Sequence, residues 1–231
     1  MDVFLVPVGA GRHELYCETA HETVPLQPGE TAGFRRRWAD RFTTMLAALE
    51  HERERVEKRG ERHLDSAGWT ARTRSRLMRW MAEKVAEQRL LWRLRGEQHV
   101  SAFYPAGLPA DRAMETIRGS LKTDFDRHRW WLALNSVGGV LSLALVPFPG
   151  PNVIGLYFTF RIVGHLLAVR GARHGLTAVR WELKECEPLA QLGLAAALPS
   201  PEREHRVAEL AHTLGLSRLP RFFERTAVRP A

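Results

Sequence analysis

Apolar positions change period along this chain. Residues 2 to 8, Asp-Val-Phe-Leu-Val-Pro-Val, are β-prone, Gly9-Ala10-Gly11 supplies a turn, and Arg12 to Thr19 alternates in side-chain character. An N-terminal β-hairpin is predicted. From about Thr31 to Leu64 the period becomes helical, with Phe34, Trp38, Phe42, Met45, Leu46 and Leu49 on one face ahead of a charge run from Glu50 to Arg62. A second amphipathic helix starts near Ala71, carries Leu77, Met81, Val85, Gln88 and Trp92 on one side, and stops before Gly96. The two are expected to pack as an antiparallel pair across the Asp65–Thr70 turn.

Tyr104 to Pro109 reads as a loop, and Ala110 to Asp126 has mixed helical character. Then the pattern changes sharply. From Trp130 to Phe160 there is no Asp, Glu, Lys or Arg, and up to Val169 the one charge is Arg161. Pro147, Phe148, Pro149, Gly150, Pro151 and Asn152 split this run, because proline lacks the amide donor and obstructs the preceding turn. Two helical arms of about 17 to 19 residues are predicted. Val179, Trp181 and Leu183 then alternate with Arg180, Glu182 and Lys184 as a strand over 178–186. Two short helices follow, about Pro201 to Leu214 and Ser217 to Arg225, separated by Gly215.

The fold class expected is mainly α with a small antiparallel β element (α+β): a long amphipathic helix pair plus a central apolar helical hairpin. The regions are a β-hairpin (1–29), basic amphipathic helices (30–129), the apolar hairpin (130–171) and a strand with short helices (172–231). They are expected to form one integrated domain, which 231 residues can fill.

Charge sharpens the picture. The formal net charge is +8, and of 34 basic residues the lysines are Lys58, Lys84, Lys122 and Lys184. Arginine suits phosphate, so nucleic acid and anionic lipid headgroups both fit, although an arginine-rich coding habit leaves the same imprint. Cys17 and Cys186 are too few for a disulfide framework, which points to a reducing compartment. The opening residues have no basic n-region and do not resemble a secretory signal or transit peptide.

Each arm would extend roughly 25 to 28 Å, just enough for the hydrocarbon core of a bilayer. Lys122, Arg127 and Arg129 precede the first arm, and Arg170, Arg173 and Arg180 follow the second, as the positive-inside tendency asks of two spans with both flanks on one side. Gly138, Gly139, Gly155, Gly164, Ser136 and Ser142 would let the arms approach closely. The competing environment is the core of a water-soluble protein, since both arms are short for spanning.

Arg161 and His165 are four apart and share a helix face, with Asn152 and Tyr157 nearby in sequence. Ionisable groups at membrane depth are costly, so Arg161, His165 and Asn152 are candidates for guiding an ion or proton. A structural role also fits, with Arg161 snorkelling or pairing with Asp124 or Asp126. The chemistry elsewhere is sparse. His13, Cys17 and His21 straddle a strand and a loop, where a spacing of four has no metal-binding geometry, and Gly9-Ala10-Gly11 is not a dinucleotide fingerprint. No nucleophile motif occurs, so no enzymatic activity, catalytic residue, metal or cofactor is expected. Arg35-Arg36-Arg37 with Trp38, and Arg72, Arg74, Arg76 and Arg79 with Trp80, mix basic and aromatic residues as nucleic-acid surfaces do, but Asp40 and Glu83 dilute the pattern.

Certain blocks of the chain resemble the mitochondrial K+/H+ exchange-related family: Val3 to Val8, Glu14-Leu15-Tyr16-Cys17, and Pro147-Phe148-Pro149, Asn152, Phe160-Arg161, His165, Ala168 and Gly171. They make up about a quarter of the sequence. The resemblance implies inner-membrane association and a link to potassium/proton exchange, as a component or an accessory factor. One hairpin is too small for an alternating-access carrier, so the resemblance also implies a homo-oligomer or a transporter partner. A bacterial cytoplasmic membrane is the expected location, or the mitochondrial inner membrane in a eukaryote. The alternative is a soluble basic helical protein that binds nucleic acid or a protein partner, with the hairpin as buried core.

Overall fold

The structure, a computed structural model, describes residues 1–9, 11–18, 90–142 and 153–227. The amphipathic helix pair expected over 31–95 lies outside these residues, apart from a helical end at 90–94. Strand β1 (Asp2–Pro7) is buried along almost its whole length, with Val3 and Leu5 in one core and Phe4 and Val6 in another. Successive side chains of a strand point to opposite faces, so an unbroken apolar run is what a strand covered on both sides requires.

β1 turns back into β2 (His13–Tyr16) through Gly9 and Gly11, at φ 95° and 71°, a left-handed backbone that glycine adopts without strain. The Val8 amide donates to the Arg12 carbonyl and the Arg12 amide to the Gly9 carbonyl, both at 2.9 Å. β3 (His99–Pro105) and β4 (Arg180–Cys186) complete a sheet of order β2-β1-β3-β4. The β1–β2 pair is antiparallel, whereas β1–β3 and β3–β4 are parallel. The α+β class therefore stands with a mixed sheet. The expected antiparallel element is one corner of it.

Parallel neighbours need a crossover. Between β3 and β4 that crossover is the hairpin itself, α1 (Ala110–Ser142) and α2 (Val153–Thr177). Its base covers one face of the sheet, where Ala113, Ile117 and Leu121 of α1 meet Leu167, Ala168 and Ala172 of α2 and Val100 and Ala102 of β3. On the opposite face lie α3 (Glu187–Ala195), α4 (Ser200–Leu214) and α5 (Leu219–Ala227). Leu189, Leu192, Val207, Leu210, Leu219 and Phe223 form the second core there. Gly215, at φ 68°, caps α4 by donating its amide to the Ala211 and His212 carbonyls. The Glu18 carboxylate ties β2 to the start of α5, accepting from Ser217 Oγ at 2.5 Å, the Arg218 amide at 3.1 Å and Tyr16 Oη at 3.0 Å.

Two elements lie outside the sequence reading. β3 occupies residues left unassigned before the expected Tyr104–Pro109 loop, and α3 follows directly on β4.

Candidate functional site at the helical hairpin

Both hairpin helices run well past the apolar segment. α1 starts at Ala110, twenty residues before Trp130, and reaches the tip without interruption. Residues 90–94 brace the other arm. Trp92 is buried and donates its Nε1 to the Gly164 carbonyl at 2.9 Å, while the Leu91 carbonyl fills the place a Cβ on Gly171 would need. Of the glycines expected to bring the arms together, Gly138 and Gly139 do so. A side chain on Gly138 would collide with the Phe158 ring, and one on Gly139 would come within 3.0 Å of Ile162 Cδ1.

Along α1 the amphipathic pattern turns inside out. In the basal half the buried positions are apolar, Ala113, Ile117 and Leu121. Seven-residue steps from Leu121 then reach His128, Asn135 and Ser142, all buried and all polar. The outward stripe changes the opposite way. Trp130, Leu134, Val137 and Leu141, at helical spacing, are exposed, as are Trp131 and Val140; Trp130 and Leu141 each keep 69% of their surface in solvent. The buried polar groups satisfy themselves within the helix: Asn135 Nδ2 donates to the Trp131 carbonyl at 2.7 Å and Ser142 Oγ to the Gly139 carbonyl at 2.6 Å.

His128 and His165 meet where the pattern inverts. Their Nδ1 atoms are 2.9 Å apart, so one ring donates and the other accepts. The Trp131 ring stacks beside His165 with centroids 6.4 Å apart, and the Arg161 guanidinium lies 5.9 Å from the Trp131 ring centroid. Burial, then the neighbouring His165, Arg127 and Arg161, pushes His128 down from 6.5 to about 3. Burial, then Arg161 and Arg127, pushes His165 down to about 4. Both rings are neutral near pH 7. In either tautomer His165 Nε2 is buried with no hydrogen-bond partner among the described residues. Two imidazolium rings cannot coexist here, because their Nδ1–H groups would point at each other.

Of the residues singled out from sequence, Arg161 and His165 are thus brought together around Trp131. Asn152 and the turn residues Pro147, Pro149, Gly150 and Pro151 lie outside the described residues. On α1 itself, Asp124 pairs with Arg127 at 2.7 Å and Asp126 with Arg129 at 3.8 Å. His128 escaped the sequence reading because it is far from His165 along the chain. Its signal was the seven-residue recurrence of polar residues at 128, 135 and 142.

The expectation of two bilayer spans requires correction. Among the described residues no helix is long and apolar enough to cross a membrane. The physical reason is that the basal half of each helix is engaged on the sheet and carries charge, including Lys122, Asp126 and Arg129 on α1 and Arg170 and Arg173 on α2.

The described residues hold no cluster of three or more metal-ligating side chains. Burial pushes the thiols of both Cys17 and Cys186 up, away from the thiolate a nucleophile needs.

No curated protein and no solved structure matches the chain. A family model described as mitochondrial K+-H+ exchange-related matches residues 2–178, a span that runs from β1 to the end of α2 and contains His128, Arg161 and His165. Covering well over half of its length, that match makes the chain a member of the mitochondrial K+-H+ exchange-related family.

Proposed function

We propose that this protein works at a membrane as a component or accessory factor of potassium/proton exchange and has no enzymatic activity of its own. The family description supplies the link to exchange. The observation that carries the membrane half of the reading is the outward apolar stripe of distal α1, Trp130, Leu134, Val137 and Leu141. Contiguous exposed apolar surface of this kind marks contact with a membrane or a partner. The alternative of a soluble binding protein with the hairpin as its core accounts for the base of the hairpin. It leaves the tip unexplained.

A carrier needs several helices around a midplane site, and one hairpin does not supply them. The chain therefore acts with a second copy or with a transporter, in a bacterial cytoplasmic membrane or a mitochondrial inner membrane. The His128–His165 pair lies at the inner end of the apolar tip and stays neutral near pH 7, so it joins the two arms there without carrying charge. Potassium-driven proton flux in native membrane vesicles with and without the chain tests the reading. Flux that depends on the chain supports it, and flux indifferent to the chain overturns it.

A further inference from the structure

We infer, resting on that membrane reading, that the outward face of distal α1 enters an anionic bilayer, with Trp130 and Trp131 at the headgroup boundary. Two features carry this. The first is the inversion of α1. A helix in water hides apolar groups and shows polar ones, as the base of α1 does, and beyond His128 the arrangement is reversed. Polar groups turned toward the partner helix, with apolar groups turned outward, is the arrangement a lipid environment favours.

The second is the order of residues along the helix axis. Lys122, Arg127 and Arg129 on α1 and Arg170 on α2 are exposed below the tip, then come Trp130 and Trp131, and then apolar residues. Basic residues next to anionic headgroups, with tryptophan at the boundary, is the usual interfacial sequence. Asp124 and Asp126 pair with two of these arginines, yet the collar stays net positive, and exposed pairs of this kind are weak enough to exchange partners.

The full-length protein is sedimented with vesicles of phosphatidylcholine alone and of phosphatidylcholine mixed with phosphatidylglycerol. Binding should be strong only to the mixed vesicles and should weaken with salt. Arg127→Gln with Arg129→Gln should lower it roughly tenfold or more. Leu134→Glu with Val140→Glu should abolish it, while Leu194→Glu, at a leucine 75% exposed on α3, should leave it intact. These side chains are exposed, and an unchanged circular dichroism spectrum confirms that each variant is folded. Absence of vesicle binding, or equal loss in Leu194→Glu, overturns the lipid contact. If native-membrane flux still depends on the chain in that case, the exchange reading survives and the tip faces a protein.

Discussion

His128 and His165 show how much one contact between side chains governs. Their folded pKa values lie below the ordinary 6.5, at about 3 and about 4. Above pH 6.5 both rings are neutral whether the chain is folded or not, and the pair contributes its full stability. As pH falls below that value the unfolded chain takes up protons first, so stability drops through the interval down to about 4 and then about 3. Urea midpoints measured from pH 7 downward should therefore fall, and the fall should be shallower in a His128→Leu, His165→Leu double variant. At pH 7 the double variant should be close to neutral, whereas His128→Leu alone leaves His165 with no ring partner and should cost about 1 to 3 kcal/mol. Equal pH slopes for the wild type and the double variant would show that the pair is not linked to folding. At this scale sequence reading reached Arg161 and His165 through their four-residue spacing. The seven-residue recurrence of His128, Asn135 and Ser142 marked a polar stripe, but only the packing of α1 on α2 joins the two rings.

Helices and strands were legible wherever a single face was buried or a turn residue was unambiguous. The β1–β2 hairpin follows from Gly9 and Gly11, α4 and α5 from the break at Gly215, and α2 from the apolar run that begins at Val153. β3 was hidden because Val100 and Ala102 feed one core and Phe103 the other, which removes the alternation that marks a half-buried strand. α3 was masked by Pro188 and Gly193, which look like breakers. Proline is tolerated in a first helical turn, and Gly193 is needed because a Cβ there would come within 3.2 Å of Pro7. The glycines of the hairpin make a graded prediction. At Gly171 an alanine methyl meets the backbone carbonyl of Leu91, which cannot rotate away; at Gly138 it meets the edge of the Phe158 ring, which can. Gly171→Ala should destabilise the protein by about 1 to 3 kcal/mol or more in urea unfolding, and Gly138→Ala by less. The reverse order would show that residues 90–94 do not clamp α2 as described.

For the whole molecule, a mixed sheet packed between two helical layers anchors one hairpin whose distal part turns apolar side chains outward. Composition alone gave the +8 charge and the arginine excess without saying where either acts. The fold gives part of it a place, setting Lys122, Arg127, Arg129 and Arg170 just below Trp130 and Trp131. The length of the apolar run suggested spanning arms, yet on α2 the sheet core takes Leu167 and Ala168 from within that run, and α1 begins twenty residues before it. What remains is a tip joined to a rigid base through the Trp92–Gly164 and Leu91–Gly171 contacts.

The most direct measurement is potassium-driven proton flux in native membrane vesicles carrying the wild-type chain, the Leu134→Glu, Val140→Glu variant, or no chain. The account predicts that the variant, folded but with its outward stripe charged, gives the same flux as vesicles lacking the chain. Flux equal to wild type from the variant would contradict it.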